Sequence, residues 1–94
     1  MSYKLRFHAL AWAEWQQLDR SVQAPLKKKL LERLQTPRIA SAALSGMPDC
    51  YKIKLRQQGY RLVYRVEDDA IVVTVIAVGK RDKNAVYAAA GQRV

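Results

Sequence analysis

Between Cys50 and Val66 apolar and cationic residues alternate, and this constrains the fold more than any other feature of the chain. In Tyr51-Lys52-Ile53-Lys54-Leu55-Arg56 the apolar side chains fall on one face of an extended strand and the cations on the other. Gln57-Gln58-Gly59 is a turn signal, and Tyr60-Arg61-Leu62-Val63-Tyr64-Arg65-Val66 resumes the pattern, so the segment reads as a β-hairpin. One face then carries Tyr51, Ile53, Leu55, Leu62, Tyr64 and Val66. The other carries Lys52, Lys54, Arg56, Arg61, Val63 and Arg65. The first face has to be covered by an apolar layer; the second is expected to stay open.

The rest of the sequence supplies that layer. Tyr3-Lys4-Leu5-Arg6-Phe7 has a period of two and predicts a short strand. His8 caps or flanks a first helix, in which Leu10, Ala11, Trp15 and Leu18 recur at helical spacing, to about Asp19. Ser21 reads as a cap or turn residue, and Pro25 is expected in the first turn of a second helix. Leu26, Leu30 and Leu34 give that helix its buried stripe, with Leu31 beside them, and Thr36-Pro37 ends it. Positions 37–49 read as a connector with a helical turn near Ala42. Positions 71–78 form an apolar, β-branched strand covered on both faces, and Lys83 opens a short, loosely held C-terminal helix to about Gln92. The expectation is one α+β domain over 1–94, in the order β-α-α-β-β-β-α. It is an antiparallel sheet with a two-helix hairpin on one face.

Charge narrows the function. The segment 50–66 holds five cations and no carboxylate, in a chain of net charge +9. Paired strands seldom gather like charges without a reason, because the charges repel. A solvated, strand-guarding face is the plain alternative. The excess favours an anionic partner, and two features favour RNA. Gly79-Lys80-Arg81 ends the apolar strand at the edge of the same surface, and Tyr87 follows six residues later. An aromatic ring beside clustered Arg and Lys suits an unstacked base over a gripped phosphate. Lys27-Lys28-Lys29 reads as a solvated helix face or a secondary phosphate contact.

Other chemistries lack residues. His8 is the only histidine, so a paired-histidine ribonuclease is excluded. Cys50 is the only cysteine; it can neither staple the fold nor form a zinc site, and it suits a reducing compartment. Glu67-Asp68-Asp69 reads as a charged turn, and Trp12 and Trp15 as packing. No metal or cofactor is expected. No apolar run is long enough for a bilayer and the first residues do not read as a signal peptide, so a soluble cytoplasmic protein is expected.

Three stretches resemble one family. Gly46-Met47-Pro48-Asp49-Cys50-Tyr51-Lys52-Ile53-Lys54-Leu55-Arg56, Gly59-Tyr60-Arg61-Leu62-Val63-Tyr64 and Val78-Gly79-Lys80-Arg81 are similar to the RelE toxins of the RelE/ParE superfamily. The likeness continues through Leu26-Lys27-Lys28-Lys29-Leu30 and Thr36-Pro37-Arg38-Ile39 and spans essentially the whole chain. It implies the toxin of a type II toxin–antitoxin pair, an endoribonuclease that cuts mRNA in the A site of the 70S ribosome. It also implies a RelB-like antitoxin that wraps the toxin, with operator DNA bound only through that complex. The family's active residues fall on Lys52, Lys54, Arg61, Arg81 and Tyr87. RNA or ribosome contacts are expected at Lys27, Lys28, Lys29, Arg56, Arg65, Lys80 and Lys83. One position departs: the family has a basic residue before the Gly-Met motif, and Ser45 here implies a change in ribosome affinity or rate, not in the reaction. Two other readings stay open: a ParE-like toxin acting on gyrase, and an RNA- or ribosome-binding module without chemistry.

For the cleavage itself, Lys54 is the expected general base, because neighbouring Lys52, Arg56 and Arg61 lower its affinity for a proton. Tyr87 stacks on the base or, alternatively, takes the proton. Lys52 and Arg61 are expected to stabilise the phosphorane. The resemblance makes Arg81 the leaving-group acid, although a guanidinium acts more readily by charge.

Overall fold

The computed structural model describes residues 2–82 and 84–94. The elements are β1 (Lys4–Phe7), α1 (Ala9–Gln16), α2 (Arg20–Gln35), β2 (Cys50–Leu55), β3 (Tyr60–Glu67), β4 (Val72–Lys80) and α3 (Ala85–Arg93), with a 3-10 turn at Ala40–Ala42. The expected element order holds. His8 does cap α1, its Nδ1 accepting from the Leu10 N–H at 3.2 Å.

The sheet differs from the expectation in one respect. Its order is β1-β4-β3-β2, and β1 pairs with β4 in parallel, so it is mixed and not purely antiparallel. The intervening helices and meander supply the long crossover that a parallel pair needs. β4, long and β-branched, is therefore central, and β2 is an outer strand.

Pro25 is a second correction. It lies inside α2, which starts at Arg20 after Asp19. Proline leaves the Ser21 carbonyl without its i+4 donor, a defect the first turns of a helix tolerate when the buried stripe is strong. Here that stripe is Val22, Leu26, Leu30 and Leu34, all buried, whereas Leu31 points outward and is 50% exposed. With Ala11 of α1 these residues cover Tyr51, Ile53, Leu55, Leu62, Tyr64 and Val66, the face that the alternation assigned to the core. Tyr64 is fully buried; its hydroxyl donates to the Pro37 carbonyl at 2.6 Å and accepts from Arg33 at 2.9 Å.

The opposite face is not open throughout. Val63, expected there in solvent, is fully buried with Cys50, Ile76 and Ala77 beneath Val86 and Ala90 of α3. A bulge helps to build this second layer. Val63 pairs with Ala77 and Tyr64 with Val75, leaving Ile76 as an extra residue in β4. Nor is α3 loosely held. Arg93 makes a two-pronged ion pair with Glu14 of α1, at 2.8 and 2.9 Å, and donates to the Ile76 carbonyl at 2.9 Å. Among the described residues no helix is long and apolar enough to cross a membrane.

Candidate nucleic-acid interface

The register places the cations in a row. Lys54 of β2 lies opposite Arg61 of β3, which lies opposite Gly79 of β4. Side chains so paired have Cβ atoms about 5 Å apart. Gly79 adds no side chain to the row, and a Cβ there would meet Val86 Cγ2 at 3.5 Å. A hollow lies between Arg61 and the start of α3. This cavity, about 420 Å3, is lined by Lys54, Arg61, Lys80, Arg81, Asp82, Asn84, Ala85, Val86 and Tyr87.

Each wall has a local cause. The alternation in β2 and β3 turns Lys54 and Arg61 away from the helical layer. Gly59 takes the left-handed conformation, φ +72°, that the hairpin turn requires. Its carbonyl then accepts from the Arg81 N–H at 2.6 Å, which ties the exit of β4 to the turn. Tyr87 sits in the first turn of α3, where the helix dipole directs positive charge into the hollow.

Arg61 is only 8% exposed and is the one buried charged side chain among the described residues. One terminal nitrogen donates to the Tyr60 carbonyl at 2.9 Å. No buried side-chain nitrogen or oxygen among the described residues lacks a partner, so the remaining guanidinium nitrogens reach the cavity. An arginine held this way is a preorganised fork for a phosphate. Lys54 is perturbed as expected. The cation of Lys52 lowers its pKa most, followed by partial desolvation, Arg61 and Arg56. The ion pairs among the described residues involve Arg38 and Arg93 alone, so the cavity's cations have no carboxylate neutralising them at contact distance.

Of the expected catalytic set, Lys54, Arg61, Arg81 and Tyr87 share the cavity, with Lys80 on its rim. Lys52 is two residues back along β2, about 7 Å away. It lines a neighbouring hollow with Lys29, Arg33, Lys54 and Arg56. The lysine run of α2 is divided: Lys29 faces β2, Lys27 lies beside Trp15 and Arg20 at another hollow, and Lys28 is exposed and lines neither. Arg65 is corrected. It sits at the far end of the hairpin with Arg38, Asp49, Glu67, Asp68 and Asp69, in an acidic setting unsuited to a phosphate. Lys83 lies outside the described residues. Ser45 is exposed, and its neighbours Leu44 and Met47 pack on the layer beneath α3. Cys50 is a core residue whose thiol pKa is raised by burial.

Sequence reasoning missed Arg33. Its spacing from Lys29 puts both on one flank of α2, and its guanidinium donates to the Lys52 carbonyl at 3.1 Å as well as to Tyr64. It set the start of α3 at Lys83, two residues before Ala85, because Asn84 enters that helix in the left-handed region without a side-chain cap.

Residues 5–85 match the family described as the ParE toxin of type II toxin–antitoxin systems, parDE. The chain is 54% identical over 94 residues to the mRNA interferase toxin RelE of Escherichia coli strain K12, covering all of this chain and 99% of that one. It is 47% identical, again over 94 residues and 99% of the relative, to a putative RelE-like toxin protein of Escherichia coli. Its fold superposes on a mutant of the E. coli toxin RelE in the free state with a TM-score of 0.92, at 53% identity over 100% of this chain and 99% of the other. Against the toxin of the intact E. coli RelBE toxin–antitoxin complex the TM-score is 0.84, at 55% identity over 87% of this chain and 100% of the other.

Proposed function

The chain belongs to the ParE toxin family of type II toxin–antitoxin systems, and from that premise we propose that it is a ribosome-dependent mRNA interferase, a single domain that cuts mRNA in the ribosomal A site. One observation carries this reading: Lys54, Arg61, Arg81 and Tyr87 converge on one cavity, and among the described residues none of its cations forms an ion pair. Full-length identity to chains named mRNA interferase supports it over a gyrase-directed toxin.

The chemistry follows from the walls of the cavity. The 2′-hydroxyl of a nucleotide attacks the adjacent phosphorus, a new O–P bond forms, and the bond to the 5′-oxygen breaks. The products are a 2′,3′-cyclic phosphate and a 5′-hydroxyl. Lys54, its proton loosened by Lys52, takes the hydroxyl proton. Arg61 and Lys52 stabilise the charge on the phosphorane. Arg81, exposed at the mouth, meets the charge developing on the leaving 5′-oxygen, which takes its proton from there or from water. Tyr87 stacks on the base. The site has little of its own to twist an RNA strand into line, and the ribosome supplies that orientation.

The work is therefore cytoplasmic. A RelB-like antitoxin is the partner, and operator DNA is met only through the pair. An antitoxin can dismantle the site in two ways, by laying carboxylates on the cations or by lifting α3 with Tyr87. Primer extension on ribosome-bound mRNA tests the reading. Discrete stops inside A-site codons are expected, and binding without stops would leave a ribosome-binding module in place of a nuclease. Tyr87→Phe separates the two roles of that residue. It is expected to keep most of the cutting if the ring stacks, and to lose about a hundredfold or more if the hydroxyl takes the proton.

A further inference from the structure

Beside the cavity, on the other side of Lys54, lies a second cationic hollow of about 720 Å3 lined by Lys29, Arg33, Ser41, Ala42, Lys52, Ile53, Lys54 and Arg56. It wraps the outer edge of β2 and reaches from the cationic sheet face to the flank of α2. Lys54 lines both hollows, so the two are neighbours. Among the described residues no carboxylate lines the second one. Its floor is fixed: Arg33 is half-buried and holds the edge-strand carbonyl of Lys52 at 3.1 Å and the Tyr64 hydroxyl at 2.9 Å. A guanidinium anchored through one nitrogen keeps its other donors in a set direction.

We propose that this trough is a second phosphate subsite, which grips the RNA phosphodiester backbone next to the linkage being cut. Lys29, Arg33 and Arg56 hold that phosphate, Lys52 lines the same trough, and Lys54 forms the wall shared with the scissile one. The inference rests on the nuclease reading above but can fail separately from it. It also explains the position of Lys52: a residue between two phosphates can both depress the pKa of Lys54 and hold the strand. Of the lysines in α2 it assigns only Lys29.

The test is the salt dependence of binding, read with the full chain on a labelled single-stranded RNA 12-mer and on mRNA-programmed 70S ribosomes. Lys29 and Arg56 are exposed and make no side-chain hydrogen bond among the described residues, so Lys29→Ala/Arg56→Ala should fold normally. Arg33 is left in place because the β2 edge depends on it. Each phosphate no longer neutralised on a single strand lowers the log–log salt slope by about 0.7, so the double variant, which frees the one trough phosphate, is expected to lose up to about 0.7. Lys27→Ala/Lys28→Ala removes the same amount of charge outside the trough, from the helix that carries Lys29, and should stay near wild type. An unchanged slope in the first variant, or an equal loss in the second, overturns the subsite. Neutral methylphosphonate linkages in the A-site codon identify the strand. If they abolish the difference between wild type and the trough variant on ribosomes, the phosphate is the messenger's; if the difference persists, ribosomal RNA supplies it. Failure of the wild type to cut would remove the nuclease reading and leave the slopes to decide the trough.

Discussion

Lys54→Ala is expected to slow cleavage of ribosome-bound mRNA by a hundredfold to ten-thousandfold, about what a positioned general base contributes. Its fold should survive. Lys54 is half-exposed on an outer strand, and the change relieves repulsion from Lys52, Arg56 and Arg61. Thermal melting and antitoxin binding should therefore match wild type. The pH profile gives the sharper readout. A general-base lysine works deprotonated, so the single-turnover rate should climb with pH and level off above the lysine pKa. In this protein that limb lies below the ordinary lysine value, because Lys52 and its neighbours disfavour the protonated form. Removing Lys52 removes the largest of those influences, so in Lys52→Ala the limb should move to higher pH whatever happens to the maximal rate. In Lys54→Ala the limb should vanish. A limb that survives Lys54→Ala unchanged would hand the proton to Tyr87.

These two lysines show how much of the site could be read from the chain. Strict alternation fixes which side chains share a sheet face, so the grouping of Lys52, Lys54 and Arg61 opposite Tyr51, Ile53 and Leu62 was legible without coordinates. The division of that face was not. Val63 obeys the same alternation as Arg61, yet it is covered by α3 whereas Arg61 opens into a cavity. What decides between them is the place where a helix many residues downstream comes to rest. Arg65 illustrates the complementary case. It sits on the predicted face but four residues from Arg61, about 13 Å along the strand, where Asp49 and Asp68 make the surroundings acidic. Strand order is a third limit. Nothing local to Lys4–Phe7 distinguishes parallel from antiparallel pairing, and the choice follows from the crossover made by the whole chain.

The grip on α3 was equally invisible, and it leads to the second large effect expected. β1 ends at Phe7, paired with Val75, so the edge of β4 beyond it would expose the Ile76 carbonyl and the Val78 N–H. Arg93 donates to that carbonyl at 2.9 Å, and Glu14 accepts from that N–H at 3.2 Å while holding Arg93 with both oxygens. Arg93→Ala removes its bonds to both Glu14 oxygens and to the Ile76 carbonyl at once, leaving the Val78 N–H on Glu14, and should weaken the docking of α3 by about 1–2 kcal/mol, allowing for the partial exposure of Glu14. Amide exchange in α3 should then quicken about fivefold to thirtyfold, with the sheet core unaffected, and cutting should fall as Tyr87 leaves the cavity. Acid should mimic the substitution. Burial alone would raise the Glu14 pKa, but the bonds from Arg93 and Val78 outweigh it and hold the carboxyl below its usual value. A group whose folded pKa is lowered contributes fully above the ordinary carboxylate pKa and loses that contribution as pH falls through the folded value. The α3 amides of wild type should thus lose protection at acidic pH, after correction for intrinsic exchange, and those of Glu14→Gln should not show that added loss. Unchanged protection of α3 in Arg93→Ala would mean that Val86 and Ala90 alone hold the helix, and that displacing it works against apolar packing and not against an ion pair.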